Sequence, residues 1–391
     1  MNIAMIFDGL GFGGIERVGT TYAKLLIDLG HNVTIINLQP DRHELKKDFS
    51  EKCEFVDVRF SETFLPDRYF PVLRKWRSGK YIYPLVFLIS KYALFIKRTY
   101  YRMFKHQKTD IAIAFSGHIR DLSFVGYDFI KSNKKLTWLH GSLSDYLLLS
   151  YSFADLYSRI TNLCVLSTNN QSYAFEVFPK LRNDLNIAKI YNPVEQHPSN
   201  LDHALIEKLK EEYSSPLIMV GRFDADKDQF TVIRAMHILR KKHSTEKDLI
   251  FIGDGPRRSE CEELVKTLHL EDCIHFLGFK RNVDNYYQAS CISVHSSPAE
   301  GLPTVLLESM RNGLPIVATK SLPGVAEILE GDRYGLTCQV GDPEDMADKI
   351  YELLSNDDLQ KYYSDMGYER IKAFSPETIE SKLLQILNNL K

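Results

Sequence analysis

Short apolar runs recur along the chain, and stretches with apolar residues three and four apart lie between them. In the first half the runs are Asn2 to Phe7, His31 to Leu38, Ile111 to Phe115, Lys135 to Leu139, Leu163 to Ser167 and Ile187 to Tyr191. In the second they are Leu217 to Val220, Asp248 to Ile252, Cys291 to His295 and Pro315 to Ala318. Brief apolar runs alternating with helical spacing predict strands and helices in turn, hence an α/β fold with parallel sheets. The 391 residues exceed what one core usually holds. The polar, proline-containing stretch from Asn192 to Asp202 is the natural linker. Domains are therefore expected at 1–195 and 196–375, with a last helical segment at 376–391. No internal repeat or low-complexity segment is visible.

The most informative stretch runs from Ser296 to Gly313, S-S-P-A-E-G-L-P-T-V-L-L-E-S-M-R-N-G. Its pattern predicts a loop carrying Glu300 and a helix opening at Pro303 with Glu308 two turns in, bracketed by strands. The loop then falls at the carboxyl ends of the strands, where such sheets bind ligands. Unpaired first-turn N–H groups of Thr304, Val305 and Leu306 would seat a phosphate at the positive end of the helix. A carboxylate on either side would hold neutral hydroxyls, which describes a nucleotide sugar: the sugar near Glu300, the ribose near Glu308. Upstream, V-G-R-F-D-A-D-K places Arg222 and Lys227 just after a strand. The planar fork of Arg and the mobile charge of Lys suit a diphosphate leaving group. Asp224 and Asp226 spell D-A-D, but they read as turn residues, and no divalent metal is expected.

These motifs resemble a known family. Glu300 and Glu308 in E-G-L-P-T-V-L-L-E, with Arg222, Lys227 and the downstream P-G-V-A-E-I-L-E-G-D-R-Y-G-L, look like the signature of the retaining GT-B glycosyltransferases, most closely glycosyltransferase family 4. The resemblance is dense in the C-terminal half and thinner at G-F-G-G-I-E-R-V near the start. It implies two Rossmann-like parallel-sheet domains facing across a cleft, the first for acceptor and the second for the nucleotide sugar, with the terminal helix crossing back to the first domain. It implies Glu300, Arg222, Lys227 and His140 in catalysis. It places the donor against Gly13 and Gly14 from the first domain and against Gly253, Phe279, Arg281, Leu302, Thr304, Val305 and Glu308 from the second. Gly253 and Gly255 are expected to let backbone come close near the base, and P-G-V-A-E-I-L-E-G-D-R-Y-G-L to close with a turn and strand. Retention of configuration by attack from the face that the diphosphate leaves is implied, with no required metal or cofactor and with the leaving group taking the acceptor's proton.

Other readings stay beside these. Gly9, Gly11 and Gly14 satisfy G-x-G-x-x-G, but a dinucleotide site needs an acid at the end of the next strand, where Asn37 and Gln39 stand. His118 is either a cleft residue or one held by a structural hydrogen bond, and Arg120 and Asp145 are rim candidates. A nucleotide-sugar-binding subunit without turnover is the alternative class. The wording of the motifs resembles bacterial enzymes of surface polysaccharide, lipopolysaccharide and lipid-linked glycan synthesis, which favours a UDP-hexose or UDP-N-acetylhexosamine over a GDP-sugar and a glycan or lipid-linked acceptor.

Between Pro71 and Lys108 the chain carries Arg74, Lys75, Arg77, Lys80, Lys91, Lys97, Arg98, Arg102 and Lys105 among many aromatics, without one Asp or Glu. Lys91 interrupts the apolar run and Pro84 breaks its start, so a membrane span is not expected. Two readings remain: a helix lying on an anionic membrane surface, or a buried helix with solvated basic ends. Composition adds little else. A net charge of -2 and a pI near 6.6 give no reason to expect nucleic acid. Cys53, Cys164, Cys261, Cys273, Cys291 and Cys338 show no paired spacing and read as reduced core thiols. Met1 leads straight into a strand with no basic leader, so a cytoplasmic place, peripheral on the inner face of the cell membrane, is the expectation.

Overall fold

A computed structural model of the chain describes all residues except 63, 64, 66–68, 70–74, 77, 105–107, 142, 150, 168–174 and 199, and the side chains of 80, 104, 145, 148, 149 and 151. Arg74, Arg77 and Lys105 of the basic segment thus lie outside the described residues, as do the side chains of Lys80 and Asp145. The chain forms two units, Met1–Pro193 with Ile379–Lys391, and Val194–Thr378.

The first unit is built on seven parallel strands, β1 Asn2–Phe7, β2 Asn32–Asn37, β3 Glu54–Asp57, β4 Lys108–Ala114, β5 Lys131–Leu139, β6 Asn162–Val165 and β7 Asn186–Lys189, in the order β3-β2-β1-β4-β5-β6-β7. Strand β1 lies in the middle, pairing Asn2 with Asn32 on one side and Ile3 with Ile111 on the other. It is buried from Ile3 to Phe7 because helices cover both faces of a parallel sheet. The edge strand β3 has no fully buried residue, which is why its E-F-V-D gave no apolar run to read. Helices α1 Gly14–Asp28, α2 Gly79–Phe104 and α3 Ile119–Gly126 belong to this unit. Pro84 lies inside α2 instead of breaking it. The core packs Trp138 against Tyr22 at 4.8 Å and Phe115 at 5.2 Å, and the Tyr22 hydroxyl donates to the carbonyl of Tyr191 at 2.6 Å.

The second unit carries β8 Leu217–Val220, β9 Leu249–Ile252, β10 Ile274–Phe276, β11 Ile292–His295, β13 Ile316–Thr319 and β15 Leu336–Cys338 in the order β10-β9-β8-β11-β13-β15, all parallel. A separate pair of two-residue strands, β12 Ala299–Glu300 and β14 Leu322–Pro323, matches Glu300 with Pro323. Helix α4 covers Gln229–His243, α5 Thr304–Arg311 and α6 Gly324–Leu329. In P-G-V-A-E-I-L-E-G-D-R-Y-G-L the segment Gly324–Leu329 is helical, and the turn at 330–333 and strand β15 close the motif as expected. Pro303 is the N-cap of α5 and not its first helical residue. The Leu306 N–H donates to the Pro303 carbonyl at 3.2 Å, which removes it from the expected open trio.

The last helix, α7 Pro376–Asn388, buries Ile379, Leu383 and Leu387. Beyond it, the backbone N–H of Lys391 donates to the Asn162 side chain at 3.0 Å, and Lys134 donates to the Leu390 carbonyl, so the chain end is fastened to β5 and β6 of the first unit. All six cysteines are free thiols, five of them buried.

Candidate active site

Parallel α/β sheets open at the carboxyl ends of neighbouring strands whose connections run in opposite directions. In the second unit that point lies between β8 and β11, and the loops leaving those strands carry Lys227 and Glu300. Seventy-three residues apart, the Lys227 ammonium and the Glu300 carboxylate meet at 2.6 Å. Both are largely enclosed, with side chains 20% and 14% exposed, so the pair is better shielded than a surface ion pair. Asp226 adds a second carboxylate 3.3 Å from the same ammonium. The loops are tied to each other by the buried Ser296 hydroxyl, 2.9 and 2.8 Å from the carbonyls of Lys227 and Asp228.

His295, at the end of β11, lies beneath this pair. Its side chain is 3% exposed, and its Nε2 is 3.6 Å from Glu300 Oε1 with no hydrogen-bond partner among the described residues. Burial pushes the imidazole down to about 4, so it is neutral at pH 7. Helix α5 begins just past Glu300, with Thr304 exposed and Leu302 buried beneath it. The Glu308 carboxylate, further along α5, stands 3.5 Å from the buried Tyr287 hydroxyl.

Other expected contacts are arranged differently. Arg222 is 71% exposed and pairs with Asp224 at 3.4 Å. Asp224 also accepts the Ala225 N–H at 2.9 Å, the behaviour of a turn residue. Phe279 and Arg281 stand exposed on the loop after β10. Gly253 and Gly255 do admit close backbone, but that backbone is the protein's own: a Cβ on Gly253 would lie 2.0 Å from the Gly221 carbonyl, and one on Gly255 2.4 Å from that of Phe223. These glycines seat the loop that carries Arg222 and Lys227.

In the first unit the corresponding point lies between β1 and β4. His140, at the end of β5, has Nε2 2.8 Å from the Phe115 carbonyl, so Nε2 carries the proton and Nδ1 is left as an acceptor. Burial pushes His140 down to about 4. His118 caps α3, with Nδ1 3.3 Å from Asp8. The hydrogen bond to Asp8 holds His118 above the ordinary imidazole value. Arg120 is not a rim residue: 14% exposed, it bridges Asp8 at 2.6 Å and Glu62 at 2.7 Å. The buried Asp121 accepts the N–H groups of Gly117 and His118 at 2.9 and 2.8 Å. Gly13 precedes α1, and nothing lies within 4 Å of where a Gly14 side chain would stand. Asn37 is buried, donating to the Arg42 carbonyl and accepting from Gln39, so it offers nothing to a dinucleotide ribose. A hollow of about 620 Å³ opens at the opposite end of this sheet, lined by Asn2, Asn32 and Lys108, away from these groups.

Residues 205–370 match the model of the family described as glycosyl transferases group 1. Most of the second unit thus carries a group 1 glycosyl transferase domain. An uncharacterized glycosyltransferase of Haemophilus influenzae is 25% identical over 354 residues, covering 90% of each chain. The Campylobacter jejuni N-acetylgalactosamine-N,N'-diacetylbacillosaminyl-diphospho-undecaprenol 4-alpha-N-acetylgalactosaminyltransferase is 30% identical over 171 residues, 44% of this chain and 46% of that one. Among solved structures, Anabaena Alr3699/HepE in complex with UDP superposes with a TM-score of 0.75 at 17% identity, covering 100% of both chains. The chain has the GT-B fold, with two parallel-sheet α/β units.

Tertiary structure adds residues to this enzyme's site that the sequence reading did not single out. His295, Ser296 and Tyr287 underlie the two glutamates, and Gly324 at the start of α6 leaves room for the Gly301 carbonyl, which a Cβ would meet at 2.7 Å. Asp8 and Glu62 complete the cluster around Arg120. Only Asp8, directly after the first strand, had a local signal.

Proposed function

We propose that the enzyme moves a hexose or N-acetylhexosamine from a UDP-sugar to a hydroxyl of a glycan or lipid-linked glycan in bacterial surface polysaccharide or lipopolysaccharide synthesis, with retention of configuration and without a metal. The observation that carries this reading is the Lys227–Glu300 pair, a cation and a carboxylate joined at 2.6 Å directly ahead of α5. A helix start beside a lysine is a seat for phosphate. The N–H groups of Thr304 and Val305, with Lys227, receive the diphosphate, and the exposed Arg222 on the same loop supplies a second cation. Glu300 takes hydroxyls of the transferred sugar, Glu308 the ribose, and the loop of Phe279 and Arg281 the base.

Charge grows on the diphosphate as the anomeric bond breaks, so preorganised cations and N–H groups act mainly on the transition state. The acceptor hydroxyl attacks from the side the diphosphate leaves, and the diphosphate takes its proton. His140, neutral and with Nε2–H committed to Phe115, is suited to accept a hydrogen bond from the sugar through Nδ1 and not to act as an acid. Open space at Gly14 is consistent with backbone approaching the donor there. The UDP in the solved relative and the lipid diphosphate in the Campylobacter relative's name support the donor and acceptor classes. The chain is further proposed to work at the inner face of the cell membrane, touching anionic lipid through the basic-aromatic segment.

The test is hydrolysis of a panel of UDP- and GDP-sugars without acceptor and with EDTA, comparing the parent with Glu300→Ala and Lys227→Ala. EDTA-resistant release from one UDP-sugar, lost in both variants, supports the reading. Release that EDTA stops would place a metal in the site, and no release from any donor would leave a binding subunit.

A further inference from the structure

Helix α2 wears its apolar side outward. A surface helix normally packs its apolar stripe on the core and offers polar residues to water. Here Leu85, Leu88, Ile89, Phe95, Ile96 and Met103 are 60, 64, 60, 53, 53 and 63% exposed. With the exposed Tyr92 and Tyr100 between them, they follow one another at intervals of three and four and so lie along one side. What faces the first unit is a narrower and more polar line: Ser90 and Leu94 are buried, Lys91 pairs with Asp155 at 3.3 Å, Lys97 lies over the Phe60 ring at 4.7 Å, and Tyr101 packs on Phe124 at 5.6 Å. This arrangement overturns the buried-helix reading of the segment. At 1.5 Å per residue the exposed stripe runs for about 30 Å, far beyond the scattered apolar residues of an ordinary surface.

Charge decides what covers it. Helix α2 has no acidic residue, and with Lys91 and Lys97 turned to the first unit, Arg98 and Arg102 are the described cations left beside the stripe, Arg98 4.9 Å from the Phe95 ring. A second copy docked by the same stripe would set these cations against themselves, because a two-fold interface is self-complementary. An anionic bilayer opposes them with phosphate and takes the apolar stripe into its acyl boundary. No helix among the described residues is long and apolar enough to cross a membrane, so α2 lies along the bilayer and does not pierce it.

We propose that α2 is an in-plane membrane anchor: its outward stripe enters the acyl boundary of an anionic bilayer while Arg98 and Arg102 reach the headgroup phosphates. This deepens the peripheral contact proposed above and rests on it. The exposed Tyr92 and Tyr100 rings suit the wet edge of that boundary. The experiment is co-sedimentation of the full chain with vesicles of phosphatidylcholine alone or with about one-third phosphatidylglycerol, comparing the parent with a Leu88→Glu, Phe95→Glu double variant. The parent should partition onto the anionic vesicles, more weakly at high salt, and the variant should lose about tenfold or more of that partition. Donor hydrolysis in solution should be equal in the two, which shows the variant folded and reads the transferase chemistry separately from the anchor. A parent that does not sediment with anionic vesicles, or a variant that sediments equally well, overturns the anchor. So does a concentration-dependent dimer of the parent that the variant abolishes, since a second copy would then cover the stripe.

Discussion

Gly253→Ala is the substitution for which the structure sets the clearest magnitude. Gly253 follows β9 with φ +138°, a conformation that only glycine adopts readily, and an added Cβ would lie 2.0 Å from the Gly221 carbonyl oxygen. Holding alanine in such a backbone costs about 1–3 kcal/mol. Relieving the overlap needs a backbone shift of more than about 1 Å, comparable to overpacking at about 1–3 kcal/mol. The two together come to about 4 kcal/mol, which for a unit of this size lowers the melting midpoint by about 8–16 °C. Gly341→Ala is the control: φ is +72° there but nothing lies within 4 Å, so it should cost only about 1–2 kcal/mol. Calorimetry on both variants reads the difference. Because the displaced segment carries Arg222, donor hydrolysis by Gly253→Ala should fall by about tenfold or more even below its melting range. Equal midpoints for the two variants, with hydrolysis unchanged, would refute the idea that Gly253 seats this loop.

Three further outcomes are expected. In a double-mutant cycle on melting, Lys227→Met and Glu300→Gln should show a coupling of about 1–2 kcal/mol, since each single change strands a largely enclosed partner; additivity within about 0.5 kcal/mol would mean that the pair is not energetically joined. Arg311→Met should destabilise by about 3 kcal/mol or more, read by urea unfolding, because Asp284 is buried and Arg311 lies 2.7 Å from it. His140 has a folded value of about 4 against 6.5, so the unfolded chain takes its proton first. Its contribution is complete above about pH 6.5 and is lost as pH falls toward about 4, amounting to about 2 kcal/mol at pH 5. His140→Gln should therefore shrink the shift in urea midpoint between pH 7 and pH 5.

The repeating apolar runs and helical spacings were enough to predict two parallel-sheet units, because strand and helix periodicities are local and a buried parallel strand must be apolar along its whole length. E-G-L-P-T-V-L-L-E, placed after a strand, was likewise legible as a loop leading into a helix start. The edge strand β3 and the true start of α5 were not, since neither rests on a long apolar pattern. Three matters were decided by tertiary structure alone. Lys227 and Glu300 meet because β8 and β11 are neighbours at the point where the strand order reverses, and strand order is a property of the whole sheet. Gly253 is glycine because a carbonyl from another loop passes 2.0 Å from where a Cβ would be, which no neighbour in sequence announces. The direction that α2 faces was open as well: the same alternation of aromatics and cations describes a helix packed either way round. What settled it is that the first unit receives Ser90, Leu94 and the paired Lys91, leaving the apolar side outward.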